Sequence, residues 1–310
     1  MCRCRILVME SGEGFPLTRS FEKRIVMDAR CLDYCVTEEE RLKFERDGFF
    51  VLESVLPEDL VDELVPVVDR VDGAYREREG MGPNQRSNML DFIGQDDLFL
   101  ELLDWYKTFP KVWGLLNWNI QLYHSHMIVT PPVGPEKSLD KDGPGLGFHQ
   151  DSGRLNLDIE TNPRPRISLK VAFFLTDASE PGRGNFVVVP GSHLGNVFPG
   201  ESRSEMPEGG MQVCVPKGSA VIFDRRIWHS SSTNYWNSPR RTLFYGYSYR
   251  WLRPRDNMTV DHFMERSDPI RRQLLGASPS GGFGYTSPKP EDVPLKAWIE
   301  EHLGEKAVAA

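Results

Sequence analysis

Apolar residues recur at helical spacing in the first third of the chain. Thr37, followed three residues later by Glu40, forms a capping box that opens a predicted helix. Gly48 is expected to end this helix, because glycine favours the position after a helix C-terminus. The apolar run 49–52 then predicts a short strand.

A second helix is predicted to begin at Pro57, since proline suits the first turn of a helix. Apolar residues three and four positions apart continue it over 60–68. Pro66 lies inside this pattern and is expected to kink or break the helix. One or two further helices are predicted over 96–118, so the stretch 37–118 is expected to form a helical cover.

From residue 119 onward the pattern changes to short β-prone runs separated by Pro, Gly, Asp and Ser. The predicted strands cover 120–129, 167–175, 186–189, 211–215, 220–223 and 242–249. Many short strands with long loops between them are typical of a sandwich or jelly roll. We therefore predict a mainly β fold with flanking helices.

Three regions are predicted along the chain. Residues 37–253 are expected to form the functional domain, with its β core over 119–253. Residues 1–36 are predicted to be an N-terminal extension, with disorder and an upstream-assigned start codon as open alternatives for its first part. Residues 254–310 are predicted to be a C-terminal extension that ends in a helix near 295–303.

The composition narrows the class of protein. The net charge of −8 argues against a general nucleic-acid binder, since such proteins need a basic surface. No run of about 18 apolar residues is present, so no membrane association is expected, and a cytoplasmic location is predicted. The cysteines at 2, 4, 31 and 35 suggest a zinc site, but no matching downstream pair follows, which favours ordinary reduced thiols.

A His-x-Asp motif is the sharpest local feature of the sequence. In an extended segment, His149 and Asp151 project from the same face and can offer ligand atoms to one metal ion. His229, which follows the predicted strand 220–223 by six residues, can complete a set of two histidines and one carboxylate, the arrangement of non-haem iron(II) oxygenases. The alternative is a surface histidine beside a turn aspartate.

Arg240 follows His229 at the start of the last predicted strand. Its planar guanidinium suits the distal carboxylate of a bound 2-oxo acid. The alternative is a surface charge beside Arg241. Because side chains alternate between the two faces of a strand, only one of these arginines is expected to point inward.

The chain resembles the phytanoyl-CoA dioxygenase (PhyH) family, which includes ectoine hydroxylase-like enzymes. The resemblance rests on five blocks in the family's order, at 44–49, 122–132, 148–151, 184–193 and 229–240. It implies a double-stranded β-helix (a cupin-like jelly roll), Fe(II), and 2-oxoglutarate and O2 as co-substrates. It also implies a dioxygenase that couples decarboxylation of 2-oxoglutarate to hydroxylation of a C–H bond in a small molecule, with secondary metabolism as one setting.

The resemblance also implies roles for individual residues. His149, Asp151 and His229 match the catalytic metal ligands, and Arg240 matches the residue that binds the 2-oxoglutarate side-chain carboxylate. Because Asp151 is present, hydroxylation or another oxidation is favoured over halogenation, since related halogenases lack this carboxylate. His126 stands where family members often have a glutamine that contacts the co-substrate.

Several roles stay open at this stage. His126 is expected to bind the co-substrate as a hydrogen-bond donor, with a fourth metal neighbour or a packed strand residue as alternatives, and His124 competes for its place. Candidate substrate residues are Phe148, Gln150, Arg154, Arg166 and Trp228. The rival functions are a zinc-dependent jelly roll and a non-catalytic β domain, and Arg240 is the feature that neither of them needs. The oligomeric state and the natural substrate are beyond the sequence.

Overall fold

The computed structural model describes residues 27–309, and among these nine strands form two antiparallel sheets. The strands are β1 Phe49–Leu52, β2 Ser87–Leu90, β3 Ile120–Thr130, β4 Ser168–Phe174, β5 Phe186–Val188, β6 Met211–Val213, β7 Ser219–Asp224, β8 His229–Ser231 and β9 Arg240–Tyr249. The large sheet has the order β1-β7-β4-β9-β3-β2, and the small sheet has the order β6-β5-β8. The predicted mainly β architecture with flanking helices is confirmed.

The α-helices lie mostly before and after the strand-rich region. They are α1 Glu38–Asp47, α2 Glu58–Glu79, α3 Asp97–Glu101, α4 Phe109–Leu116, α5 Leu139–Asp142, α6 Gly153–Asp158, α7 Asp261–Met264, α8 Pro269–Leu274 and α9 Pro294–Leu303. Short 3-10 helices lie at Ala29–Tyr34, Ile93–Gln95, Ser192–Leu194, Pro290–Asp292 and Glu305–Val308. Within 27–309 no helix is both long and apolar enough to cross a membrane.

The first two helices show which local signals decide the structure. The capping box of Thr37 and Glu40 is formed, and Gly48 ends α1 in the left-handed region with φ of 81°. Pro66 does not break α2, so that alternative of the prediction is wrong. The helix continues because five of its apolar residues are buried on one side, which outweighs the hydrogen bond that proline removes. These residues are Leu60, Val61, Leu64, Val68 and Val71.

The six strands predicted from residue 119 onward are present as β3, β4, β5, β6, β7 and β9, with ends that differ by a few residues. Two strands were not predicted. The run 87–90 is short and alternates buried with exposed residues at the sheet edge, and 229–231 has only three residues. Both depend on pairing with a neighbour, β2 with β3 and β8 with β5, rather than on local composition.

The large sheet separates two apolar layers because its side chains alternate between faces. One face packs against the helices through residues such as Leu169, Val171, Phe173, Leu243, Tyr245 and Tyr247. The other face packs against the small sheet through Ala172, Phe174, Val221, Phe223 and Phe244, which meet Phe186, Val188 and Val213. Side chains on this second face therefore point into the space between the sheets.

Segments from both predicted extensions join the helical layer. Cys31, Leu295, Ile299 and Val308 belong to the same buried cluster as α2 and α4. The domain boundaries at 36 and 253 stay predictions, and what was predicted for residues 1–26 lies outside the described residues.

Candidate metal and anion site

His149 and His229 lie opposite one another in an antiparallel bridge. The His149 backbone N–H donates to the His229 carbonyl at 2.9 Å, and the His229 N–H donates to the His149 carbonyl at 3.0 Å. Directly paired residues project from the same face of a sheet. The two imidazole rings consequently lie side by side, with ring centroids 4.4 Å apart.

Each of these rings has a hydrogen bond that fixes its orientation. His149 Nδ1 lies 3.1 Å from the Gly147 carbonyl oxygen, and His229 Nδ1 lies 2.9 Å from the Ile227 carbonyl oxygen. A carbonyl only accepts, so both Nδ1 atoms carry the proton. Both Nε2 atoms therefore keep a lone pair, which is the arrangement of histidines that bind metals.

Asp151 completes the group. Its Oδ1 lies 4.0 Å from His229 Nε2, and one ligand atom from each of His149, Asp151 and His229 lies within 4.8 Å of the others. Asp151 Oδ2 is buried and has no hydrogen-bond partner among the described residues. Across 27–309 this is the group of histidine, cysteine and acidic side chains whose geometry suits a metal ion.

The site keeps its ligand atoms free of protons. Burial by itself raises the pKa of Asp151, but Lys170, His229 and His149 outweigh it and hold the pKa below its ordinary value. Burial, together with the neighbouring His149, lowers the pKa of His229 to about 3. A carboxylate and a neutral imidazole are the protonation states that bind a metal.

Lys170 lies in the candidate site and was not expected there from the sequence. It lies on β4, is 2% exposed, and its Nζ lies 2.9 Å from Asp151 Oδ1. The available signal was a single lysine in the middle of an otherwise apolar strand, 168–174. A buried lysine needs a counter-charge, and here that counter-charge is Asp151.

Arg240 lies on the inner face of β9 and is 2% exposed. Within residues 27–309, none of its three guanidinium nitrogens has a hydrogen-bond partner. The guanidinium carbon lies 5.3 Å from the centroid of the Phe174 ring and 6.0 Å from that of Phe244. Burial, with a smaller contribution from Arg86, lowers the pKa of Arg240 to about 9. It is thus a buried cation without a counter-ion.

Arg241 points the other way. Its Nε lies 2.6 Å from Asp69 Oδ1 and its Nη2 lies 2.8 Å from Asp69 Oδ2, on the outer face of the sheet. As expected from strand alternation, only one of the two neighbouring arginines faces inward.

A cavity of about 980 Å³ lies between the sheets and joins these groups. It is lined by the three candidate metal ligands, Lys170, Arg240 and His126. Its wall also carries Arg86, Arg154, Arg253 and Arg255, whereas Asp151 is its one acidic residue in the described part of the chain. The interior is therefore strongly positive in a protein that is negative overall.

Only some of the candidate substrate residues line the cavity. Gln150 lines the cavity, but its amide nitrogen donates to the carbonyls of Gly195 and Arg226 at 3.1 and 2.5 Å. Arg154 lies at the cavity wall, exposed, with an ion pair of 2.6 Å to Asp158.

Trp228 and Phe148 project from the opposite face to their neighbours His229 and His149. They pack together in a separate buried cluster that includes Val187. Arg166 is paired with Glu45 and Asp224 at 2.7 and 3.0 Å. The substrate roles of Gln150, Arg154 and Trp228 stay predictions.

His126 faces the cavity and His124 lies behind it. His126 Nδ1 lies 3.1 Å from His124 Nε2, and the His124 side chain is almost fully buried. His126 does not belong to the group of ligand atoms that surrounds the candidate metal position.

Comparison with known proteins identifies the family. A sequence model of the phytanoyl-CoA dioxygenase (PhyH) family matches residues 44–242, more than half of the chain. The chain belongs to the phytanoyl-CoA dioxygenase family. As a member it is an enzyme of the dioxygenase class, and the resemblance drawn from the five sequence blocks is confirmed.

Individual proteins and solved structures are also similar to this chain. The chain is 25% identical to an ectoine dioxygenase of Nocardia farcinica over 243 residues, which covers 67% of this chain and 76% of that protein. HygX of Streptomyces hygroscopicus, with nickel and 2-oxoglutarate bound, has a similar fold, with a TM-score of 0.54 and 18% identity over 71% of this chain and 90% of HygX. EctD of S. alaskensis gives a TM-score of 0.53 and 21% identity over 69% of this chain and 77% of EctD.

Proposed function

We propose that this protein is an Fe(II)- and 2-oxoglutarate-dependent dioxygenase that hydroxylates a C–H bond of a small molecule. The observation that carries the proposal is Arg240, a buried guanidinium without a partner among residues 27–309, in the same cavity as the His149, Asp151 and His229 group. An unpaired buried charge is strongly unfavourable. The distal carboxylate of a bound 2-oxo acid would compensate the charge of Arg240.

The residues present fit the metal. His149 and His229 keep a lone pair on Nε2, and Asp151 Oδ2 has no hydrogen-bond partner in the described residues. Together these atoms form the two-histidine, one-carboxylate set typical of iron(II) oxygenases. When bound, iron and 2-oxoglutarate supply the oxidising chemistry. The protein binds and orients them, and Lys170 holds Asp151 in place.

The finer description of the fold belongs to the same proposal. We take the two facing antiparallel sheets to be the halves of a double-stranded β-helix, with the metal site between them. The similarity to HygX and EctD supports this arrangement. A cytoplasmic location and a small-molecule partner are part of the proposal as well.

The charge of the cavity favours an anionic substrate. Arg86, Arg253 and Arg255 line it in addition to Arg240, and no carboxylate of the described chain pairs with these three wall arginines. A substrate screen that follows succinate formation tests this, with each acid compared with its neutral amide. Acids should be turned over faster than their amides. Equal turnover of the amides would exclude the preference for an anionic substrate.

The central test is spectroscopic. Protein loaded anaerobically with Fe(II) and 2-oxoglutarate should show the weak visible charge-transfer band of the chelate. His149→Ala or Asp151→Ala should lose the band or the iron, and Arg240→Gln should require more 2-oxoglutarate to develop it. Arg241→Gln, which changes the neighbouring arginine on the outer face, is the matched control. Iron bound without any band would leave a zinc-type or non-catalytic jelly roll as the better explanation.

A further inference from the structure

Three buried side chains lead from a carboxylate behind the large sheet to the cavity. Asp256 Oδ1 lies 2.8 Å from His124 Nδ1, and His124 Nε2 lies 3.1 Å from His126 Nδ1. The side chains of His124 and Asp256 are 1% and 0% exposed. The outer end of this chain, His126 Nε2, is buried at the cavity wall and has no hydrogen-bond partner in the described part of the protein.

The contacts of His124 fix where its proton lies. Asp256 is held as an acceptor, because its Oδ2 also accepts the backbone N–H of Ser125 at 2.5 Å. Oδ1 therefore accepts the proton of His124 Nδ1. On the other side of the ring, Arg255 Nη1 lies 3.4 Å from His124 Nε2. A guanidinium only donates, so His124 Nε2 carries a lone pair.

The same argument applies to His126. Its Nδ1 faces the lone pair of His124 Nε2, so Nδ1 must carry the proton and donate it. Burial, together with the positive charge of Lys170, lowers the pKa of His126 well below its ordinary value, which keeps the ring neutral. A neutral imidazole has one proton. His126 Nε2 therefore presents a lone pair to the cavity.

The sheet leaves room for this arrangement at Gly246, which pairs with His124 across β3 and β9. A Cβ at this position would lie 2.9 Å from Tyr123 Cε1 and 3.2 Å from His124 Cβ. A side chain here would push His124 out of line with Asp256.

We propose that His126 is a substrate-binding residue, which accepts a hydrogen bond through Nε2 from a hydroxyl or amine group of the primary substrate. The proposal rests on the proposed function, since it takes the cavity to be the substrate site. A carboxylate of 2-oxoglutarate has only lone pairs and does not bond to Nε2, so Arg240 serves the co-substrate and His126 serves the substrate. This differs from the donor role that the family resemblance implied for His126.

The first test measures the proton positions directly. In full-length protein labelled with ¹⁵N-histidine, long-range ¹H–¹⁵N correlation spectra should show His126 protonated at Nδ1 and not at Nε2, with the signal assigned by its loss in His126→Gln. Asp256→Asn should move the proton from Nδ1 to Nε2 in both imidazole rings. The asparagine oxygen still accepts from Ser125, while its amide donates to His124 Nδ1. Wild-type His126 protonated at Nε2 would overturn the proposal.

Asp91→Asn is the matched control for Asp256→Asn. Asp91 also ties the C-terminal segment to the sheet region, since its carboxylate accepts from the Thr259 backbone N–H at 3.2 Å, but it contacts neither histidine. This variant should leave the histidine spectra unchanged. A reversal in both variants would mean that a displaced segment, and not the Asp256 hydrogen bond, sets the proton positions.

The second test asks which groups bind Nε2, and it needs neither iron nor turnover. Ethylene glycol should shift the His126 Nε2 resonance, whereas 1,2-dimethoxyethane, which has the same oxygens without the hydrogens, should not. Asp256→Asn should remove the preference for the diol. Equal responses to the two probes, or a comparable shift caused by 2-oxoglutarate alone, would overturn the proposal. If the histidine spectra and the probe responses are as expected but the charge-transfer band is absent, only the proposed iron site would be contradicted.

Discussion

Lys170 and Asp151 form an ion pair of 2.9 Å inside the protein, with side chains 2% and 10% exposed. The contact involves only Asp151 Oδ1, and Oδ2 stays without a partner in the residues described. Lys170 therefore leaves one oxygen for the metal and orients the carboxylate that carries it. Such outer partners commonly change metal affinity when they are altered.

Lys170→Met should lower the affinity for Fe(II) about 10- to 100-fold, because Asp151 loses the contact that orients it. Anaerobic titration with Fe(II) measures the change. Lys111→Met is the control, since Lys111 is another buried lysine, paired with Glu40 at 2.7 Å on the helical side of the molecule. Both variants are expected to lose stability, but only Lys170→Met should weaken iron binding. Unchanged iron affinity would leave Lys170 a purely structural role.

Arg240→Met should have opposite effects on stability and on binding. It removes a buried cation without a counter-ion, so the ligand-free protein should gain about 1–4 kcal/mol in free energy of unfolding. Binding of 2-oxoglutarate should weaken by about 2–5 kcal/mol. Urea unfolding and isothermal titration measure the two quantities, with Arg241→Met for comparison. A less stable ligand-free variant would show that Arg240 already has a compensating partner.

Gly246→Ala should destabilise the protein by about 1–3 kcal/mol, because the added Cβ overlaps Tyr123 and His124. Gly73→Ala, in the middle of α2, is the control. A Cβ at residue 73 meets nothing within 4 Å, so that change should stabilise the helix by about 0.5–1 kcal/mol. Thermal unfolding of the two variants measures the difference, and a tolerated alanine at 246 would contradict the tight packing around His124.

The buried histidines predict a loss of stability in acid. Burial lowers the pKa of His124, His126 and His193, so each stays neutral in the folded protein below pH of about 6.5, where the unfolded chain takes up a proton. Above that pH these histidines do not reduce the free energy of unfolding. As the pH decreases below it, the free energy of unfolding should fall by up to about 1.4 kcal/mol per pH unit for each histidine.

Urea unfolding of His126→Gln at pH 7.5 and pH 5 tests this dependence. The variant should lose less stability between the two values than the wild type. His302→Gln, at an exposed histidine of α9, should behave like the wild type. An equal loss in all three proteins would exclude a contribution of His126 to the acid sensitivity.

His149 and Asp151 could be proposed as a pair from local spacing, whereas His229 and Arg240 were proposed chiefly from the order of the family's sequence blocks. Lys170 could not be proposed, since its role depends on β4 lying beside the segment that carries Asp151. The same holds for His124, whose partner Asp256 is far away in the chain. Trp228, whose substrate role stays a prediction, lies on the face opposite to that of its neighbour His229. The positions of these residues depend on contacts between distant segments, and no pattern within one segment predicts such contacts.

The bridge between His149 and His229 also bears on the order in which the site forms. The segment with His149 and Asp151 lies outside the named strands and contacts β8 through this bridge and through the Gly147 N–H, which donates to Ser230 Oγ at 2.9 Å. A metal held by all three side chains would cross-link that segment to the small sheet and close the long loop between them. Iron would then contribute to folding as well as to chemistry, and its removal should release the cavity wall to hydrogen exchange before the rest of the sheet.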